Sequence, residues 1–225
     1  MFHYRWAREV DQLSSAGRIA RLMMPTANEA QHAGTTTQVR ERMVNRVWFV
    51  GSNAQTAPQI EESFREALAQ LNAHLADRSY LFGDRPAFGD FGLWGQVYNA
   101  WTDPTAGALI EGGATNVLAW IQRMLWPRAE GDFEMWSSLE STLVPFLERQ
   151  VGRLFMPWTV ANTGAIASSR EEFSVELNGR TWTQKPQKYH AKSLSVLREK
   201  YAAVADKSVL DRVLDRAGCL AGLRA

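Results

Sequence analysis

The sequence contains almost no cysteine and no strong charge imbalance. Its 225 residues include one cysteine, Cys219, and four histidines, and the formal net charge is +1. A single thiol excludes an internal disulfide and leaves no cysteine pair for a zinc site. The histidines have no metal-ligand spacing with one another or with Cys219, so no metal site is expected. A near-neutral chain also gives no electrostatic reason to expect nucleic acid or an anionic membrane as a partner.

Long apolar runs are also absent. No stretch of the sequence is long and apolar enough to predict a membrane-spanning helix. The first residues, which include His3 and Arg5, lack the apolar segment of a secretory signal. These features predict a cytoplasmic protein. Large aromatic side chains, in contrast, are abundant. The nine Trp and ten Phe predict a globular core rich in aromatic side chains.

Apolar residues at helical spacing predict a mainly α fold. The clearest helix follows Pro58 and extends to Asp77, and another is expected over 88–101. Further helices are predicted over 40–50, 117–125 and 136–154, the last kinked at Pro145, with two short ones near the C-terminus. The small and polar residues 26–38 are predicted to form a loop.

The first predicted helix has one apolar and one polar face. The apolar positions are Phe2, Trp6, Val10 and Leu13, and the polar positions are Tyr4, Arg8, Asp11 and Ser15. The polar line has two interpretations, a solvated surface or a set of ligand contacts. The helix begins at the first residue without a capping side chain, as expected for a chain whose upstream part is missing, although a frayed natural start is the alternative.

One β-hairpin is predicted over 173–184. Asn178-Gly179 is the turn, of type I′, and it places Val175 opposite Trp182. One face of the hairpin is apolar, so it is expected to pack on helices.

An acidic residue stands in the aromatic and glycine-spotted stretch YLFGDRPAFGDFGLWG, residues 80–95. If Ala87 is the N-cap of a helix, Asp90 is its third residue and shares a face with apolar side chains. A carboxylate there can accept a hydrogen bond from the N-cap N–H and interact with the helix dipole. Pro86 and Phe91 occupy the two positions of a hydrophobic staple. Asp90, Pro86 and Phe91 are therefore predicted to begin a buried helix.

At these residues the sequence resembles the C-terminal helical domain of glutathione S-transferases, whose central helix carries this capping box and staple. The pattern here is Tyr80-Leu81-Phe82-Gly83-Asp84-Arg85-Pro86-Ala87-Phe88-Gly89-Asp90-Phe91. Ala87 departs from the usual Ser or Thr. The resemblance is good over 58–125, can be followed back to Met1 and is not recognisable beyond about Gly152. It places a helical domain at 1–152 and a C-terminal extension at 153–225.

The resemblance implies a transferase that joins glutathione to an electrophile. The expected partners are glutathione, a small electrophile and a second subunit. The glutathione-binding, thioredoxin-like domain of such proteins has no counterpart in this sequence. The chain is therefore expected to contribute pocket walls and homodimer contacts, to contain no catalytic residue or cofactor, and to be inactive alone. A non-catalytic interaction or scaffold module is the rival function, and a coincidental motif in an unrelated helical protein is a third possibility.

Four residues are candidate substrate contacts: Tyr4, Arg8, Asp11 and Trp101. The first three lie on the helix that borders the cleft in the family. Trp101 ends an aromatic stripe with Phe91, Trp94 and Tyr98, which either lines a pocket or packs in the core. The glycines 89, 92 and 95 are expected to permit close approach of helices.

Overall fold

The structure, a computed structural model, describes residues 1–224. Over this range it is mainly helical with one two-stranded antiparallel sheet, which confirms the predicted fold class. The chain forms two compact units, Met1–Met135 and Trp136–Ala225, called here the N-terminal and C-terminal units.

The N-terminal unit contains seven α-helices and one 3₁₀ turn among its described residues. The helices are α1 Phe2–Ala7, α2 Glu9–Met23, α3 Glu29–Val44, α4 Ala57–His74, α5 Phe88–Trp101, α6 Pro104–Gly113 and α7 Thr115–Arg123, and the 3₁₀ turn is Val47–Val50. Helix α2 packs on α3 and α6, and α7 contacts α4, α5 and α6. The large buried side chains at the centre of this unit include Trp6, Trp120, Ile110 and Ile121.

The first predicted helix is two helices, because Arg8 adopts an extended backbone (φ −120°, ψ 135°) between α1 and α2. This break changes which side of the second helix is buried. Val10 and Leu13, predicted to be apolar core positions, are 57% and 49% exposed, whereas Asp11 and Ser15 are fully buried. The prediction of a single apolar face was wrong beyond Trp6.

The predicted loop at 26–38 was also wrong, since most of it belongs to α3. Asn28 caps this helix by accepting a hydrogen bond from the Gln31 N–H, and the Gln31 side chain accepts one from the Asn28 N–H, at 3.0 Å each. This reciprocal box begins a helix that propensity alone would not favour. The hydroxyls of Thr36 and Thr37 donate to carbonyls four residues earlier, which satisfies them inside the helix.

Helices α4, α5 and α7 lie where their apolar spacing placed them, but α6 was missed. Pro104 would end a helix if it lay in the interior, but it is the first residue of α6. A proline is well suited to that position because its missing N–H would have no partner there. The glycines of α5 behave differently from the prediction. Only Gly89 is close to another side chain, with Phe82 3.2 Å from the position of an added Cβ, while Gly92 and Gly95 have open space beside them.

The C-terminal unit is built on a helical run from Trp136 to Ala167. It consists of α8 Trp136–Phe146, a π-helical segment Leu147–Phe155 and α9 Met156–Ala167, followed by α10 Lys188–Ala202, α11 Ser208–Arg216 and α12 Leu220–Arg224. Pro145 lies inside α8, immediately before the π-helical segment. The domain boundary predicted at 152 falls within this run and does not coincide with the division between the units. Gly152 packs against the Ala217 carbonyl, so this part of the helical run contacts the C-terminal helices of the same unit.

The hairpin consists of β1 Phe173–Leu177 and β2 Arg180–Gln184, with Val175 paired to Trp182. Asn178 and Gly179 both have positive φ, as a type I′ turn requires. Its buried face, with Phe173, contacts α9. The predicted hairpin and its packing on helices therefore match the structure.

Candidate functional site

Asp90 lies at the third residue of α5 and is fully buried. Its Oδ2 accepts a hydrogen bond from the Ala87 N–H at 2.9 Å, and its Oδ1 accepts one from the Leu81 N–H at 2.9 Å. Ala87 has no side-chain acceptor, so only the carboxylate half of a capping box exists here. The carboxylate therefore fixes both the start of α5 and the segment that precedes it.

A third donor reaches the same carboxylate from another helix. The indole Nε1–H of Trp120, on α7, donates to Asp90 Oδ1 at 2.9 Å, and Trp120 is fully buried. This contact joins α5 to α7 across 30 residues of sequence. No local pattern identifies such a pair, because only the tertiary fold brings the two side chains together. Phe91, the second member of the predicted staple with Pro86, is 50% exposed.

A second buried carboxylate organises the N-terminal helices. Asp103, which is 1% exposed, precedes α6 and accepts hydrogen bonds from Arg5 at 2.8 Å, Arg18 at 2.9 Å and the Ser15 hydroxyl at 2.7 Å. A buried carboxylate requires such partners because removal from water penalises the charge. Asp103 was not among the predicted site residues, although its place before Pro104 is a typical N-cap position.

Asp11, a predicted substrate contact, is part of the same packing. Its two oxygens accept hydrogen bonds from the Thr105 N–H at 2.8 Å and the Thr105 hydroxyl at 2.6 Å. The side chain is fully buried and lies at the first turn of α6, where a carboxylate is favoured by the helix dipole. The polar line Tyr4, Arg8, Asp11 and Ser15 is thus neither a solvated surface nor a continuous row of accessible groups.

Tyr4 and Arg8 face α4 instead. Tyr4 is 1% exposed, lies against the Phe64 ring at 5.2 Å, and has the Arg8 guanidinium 5.7 Å from its ring centre. Burial raises the pKa of Tyr4. The Tyr4 hydroxyl is buried and has no hydrogen-bond partner among residues 1–224. Arg8 is the accessible member of the pair, with a side chain that is 44% exposed.

Glu61 on α4 connects this region to the first helix. Arg8 donates to Glu61 at 2.7 Å, and the His3 ring nitrogen lies 3.3 Å from the same oxygen. Burial opposes ionisation of Glu61, but the hydrogen bonds from Arg8 and His3 outweigh it and lower its pKa. His3 also contacts the Ser52 hydroxyl at 2.8 Å. Ser52 and His3 are both buried, so this Ser–His–Glu arrangement lacks the exposed nucleophile that acyl transfer requires.

Trp101, the fourth candidate, lies at the end of α5 away from Tyr4 and Arg8. Its indole donates to Glu111 at 3.0 Å, and its ring is 6.0 Å from Tyr98, which stacks on Trp94 at 4.8 Å. These three rings are half-buried and form a ladder along α5. The structure therefore places the four candidates in three separate environments and does not bring them together in one pocket. As ligand contacts they remain predictions.

Glutathione does not fit the candidate residues as they are arranged. Both Asp11 oxygens are already bonded, and Tyr4 is covered by Phe64 and Arg8. The described residues contain only the two-stranded sheet, which is not a thioredoxin-like domain. Among the same residues there is no group of three or more His, Cys, Asp or Glu able to hold a metal ion, and no helix is long and apolar enough to cross a membrane.

The fold and the capped helix define a class of protein: an all-helical domain whose central helix is held at its N-terminus by a buried carboxylate. The particular family follows from comparison with known proteins. Residues 38–123 match the family described as glutathione S-transferase, C-terminal domain, and this segment is similar to a domain of that type. The match begins within α3, ends with α7 and includes both Asp90 and Trp120. No curated protein and no solved structure gave a match.

Proposed function

We propose that the chain is the helical substrate-pocket and dimerisation part of a glutathione S-transferase-like protein, which conjugates glutathione to an electrophile. The observation that carries this proposal is the glutathione S-transferase C-terminal domain at 38–123, with Asp90 holding its central helix. In this role the helical domain supplies one wall of a pocket for an apolar co-substrate. A cytoplasmic location, where glutathione and its transferases are expected, belongs to the same proposal.

Exposed apolar side chains in the N-terminal unit support a role in forming contacts. Phe88 is 89% exposed and Met135 77%, and Phe91, Phe133, Trp48 and Phe49 are each about half exposed. Large exposed apolar groups are typical of interaction surfaces. A second subunit or a glutathione-binding domain would cover them. In this proposal the glutathione-binding domain stabilises the thiolate of glutathione.

The direct test is a conjugation assay with glutathione and an activated aryl halide. We expect no turnover above the uncatalysed rate by the chain alone, because the proposal assigns activation of the glutathione thiol to a separate glutathione-binding domain. The longest in-frame product of the gene is expected to be active if it adds a glutathione-binding domain to this chain. Turnover by the chain alone would contradict the assignment of glutathione binding to another domain.

The rival function is a non-catalytic interaction module built on the same helical domain. The exposed aromatic side chains favour it as much as they favour a transferase, because they indicate a partner without defining its chemistry. Binding of the longest in-frame product to immobilised glutathione separates the two. The transferase proposal expects retention and specific elution by free glutathione, whereas the module expects neither. Sedimentation of the chain at micromolar concentration tests the homodimer.

A further inference from the structure

The N-terminal unit has a cavity of about 410 Å³ whose lining includes none of the four candidate substrate contacts. It is located between the end of α7 and the segment that precedes α5. Its lining includes Tyr80, Asp84, Arg123, Trp126, Arg128 and Glu130. The volume is within the range of small-molecule sites.

The two sides of this cavity are held together by backbone contacts. The Asp84 N–H donates to the Asp132 carbonyl at 3.1 Å. Gly131 has a φ of +85°, and a Cβ there would lie 2.7 Å from Asp84 Cβ, while one on Gly83 (φ +124°) would lie 2.8 Å from the Asp132 carbonyl oxygen. Only glycine permits this approach, so the loop after α7 is fitted closely to the segment before α5. The cavity is therefore a formed site rather than a gap between independent loops.

Two arginines give the cavity a cationic side. Arg123 donates to the Ser79 carbonyl at 2.7 Å, and its guanidinium lies 5.9 Å from the centre of the Tyr80 ring, which fixes its position. Arg128 is placed by its backbone N–H, which donates to the Tyr80 hydroxyl at 3.3 Å. The Arg128 guanidinium has no hydrogen bond or ion pair with any of the described residues. It is available for a carboxylate, the group that a guanidinium binds best.

The remaining lining supplies an acidic and an aromatic component. Asp84 accepts a hydrogen bond from the Ser79 hydroxyl at 3.1 Å and is exposed. Glu130 is exposed and has no hydrogen bond or ion pair within residues 1–224. Trp126 is 85% exposed, so its indole offers an open face for stacking. Cationic, anionic and aromatic groups thus line one small volume.

We propose that this cavity binds a small zwitterion with an aryl group, of the aromatic α-amino acid class. Arg128 and Arg123 bind the carboxylate, Asp84 and Glu130 bind the ammonium group, and the aryl ring stacks on Trp126. The two arginines and two acidic residues balance in charge, which favours a zwitterion over a simple anion. The site does not depend on the transferase function and uses none of its candidate residues.

The test is isothermal titration of the full chain with L-phenylalanine, with 3-phenylpropionate and phenethylamine as ligands that lack one charged group. L-Phenylalanine is expected to bind at least about tenfold more tightly than either, since each loses a charge-assisted hydrogen bond. Arg128→Gln is expected to weaken L-phenylalanine binding about tenfold and Trp126→Ala about threefold to tenfold. Arg42→Gln, an exposed arginine of α3 away from the cavity, is the matched control and should leave binding unchanged.

Three results would overturn the proposal: no measurable binding of L-phenylalanine at millimolar concentration, equal binding of 3-phenylpropionate, or equal effects of Arg128→Gln and Arg42→Gln. Circular dichroism spectra of the variants establish that they fold. Because the two arginines and Trp126 are substantially solvent-exposed, their replacement is expected to leave the spectrum unchanged.

Discussion

Removal of the Asp90 carboxylate is the sharpest perturbation that this structure offers. Asp90→Ala leaves three donors without their acceptor, the backbone N–H groups of Leu81 and Ala87 and the indole N–H of Trp120. Each buried donor left unpaired costs about 1–3 kcal/mol. Some relaxation is expected at Ala87, which is only partly buried, so we expect a total loss of about 3–5 kcal/mol.

The assay is urea unfolding of the full chain followed by circular dichroism and tryptophan fluorescence. Asp77→Ala is the matched control, because Asp77 is an exposed carboxylate just beyond α4 and its replacement should change stability by less than about 0.5 kcal/mol. Asp90→Asn keeps one acceptor and is expected to be intermediate. If Asp90→Ala is as mild as Asp77→Ala, the assigned role of the carboxylate is wrong.

A double-mutant cycle isolates the contact between helices. Trp120→Phe removes one donor from Asp90, and in the wild-type background it should cost more than in the Asp90→Ala background, where the indole N–H is already unpaired. We expect a coupling of about 1–2 kcal/mol. Additive effects would show that the carboxylate and the indole do not interact.

Three other predictions concern a hydroxyl, a glycine and a histidine. Tyr4→Phe should leave the free energy of unfolding in urea unchanged or raise it by up to about 1 kcal/mol, because the buried hydroxyl has no partner in residues 1–224. A clear loss of stability would show that the hydroxyl does make a hydrogen bond. Gly152→Ala should destabilise the C-terminal unit by more than about 2 kcal/mol, since its Cβ would lie 1.8 Å from the Ala217 carbonyl oxygen, whereas Gly164→Ala in α9 has open space and should be neutral or stabilising; equal thermal midpoints for the two would refute this. Burial lowers the pKa of His74, so the unfolded chain binds the proton more readily than the folded chain. The free energy of unfolding is therefore expected to fall as the pH decreases through about 6.5. His74→Asn should flatten this part of the stability–pH profile, and parallel profiles for the variant and the wild type would contradict the prediction.

Local patterns predicted the elements whose signals lie within a few residues. The cap at Asp90 was predictable because a carboxylate at the third position of a helix reaches its own N-cap, and the hairpin was predictable because Asn178-Gly179 favours one turn type. The Trp120 contact with Asp90 and the Arg18 contact with Asp103 were not predictable, since each joins distant positions that only the fold brings together.

The errors at the N-terminus also have a physical cause. The extended backbone of Arg8 separates α1 from α2, so α2 is rotated about its axis relative to a continuous helix. As a result the polar positions Asp11 and Ser15 are buried and Val10 is exposed. Helical periodicity assumes a continuous helix and fails where one residue interrupts it. Of the substrate contacts predicted from that periodicity, Asp11 lies beyond the break at Arg8 and is buried.

The most direct test of the proposed function is the rate of glutathione conjugation to an activated aryl halide, measured for the chain and for its longest in-frame product at equal concentration. We predict a rate at the uncatalysed background for the chain and a rate well above it for the longer product. Catalysis by the chain alone, or none by the longer product, would contradict the role of this helical domain as the co-substrate wall of a glutathione-dependent transferase.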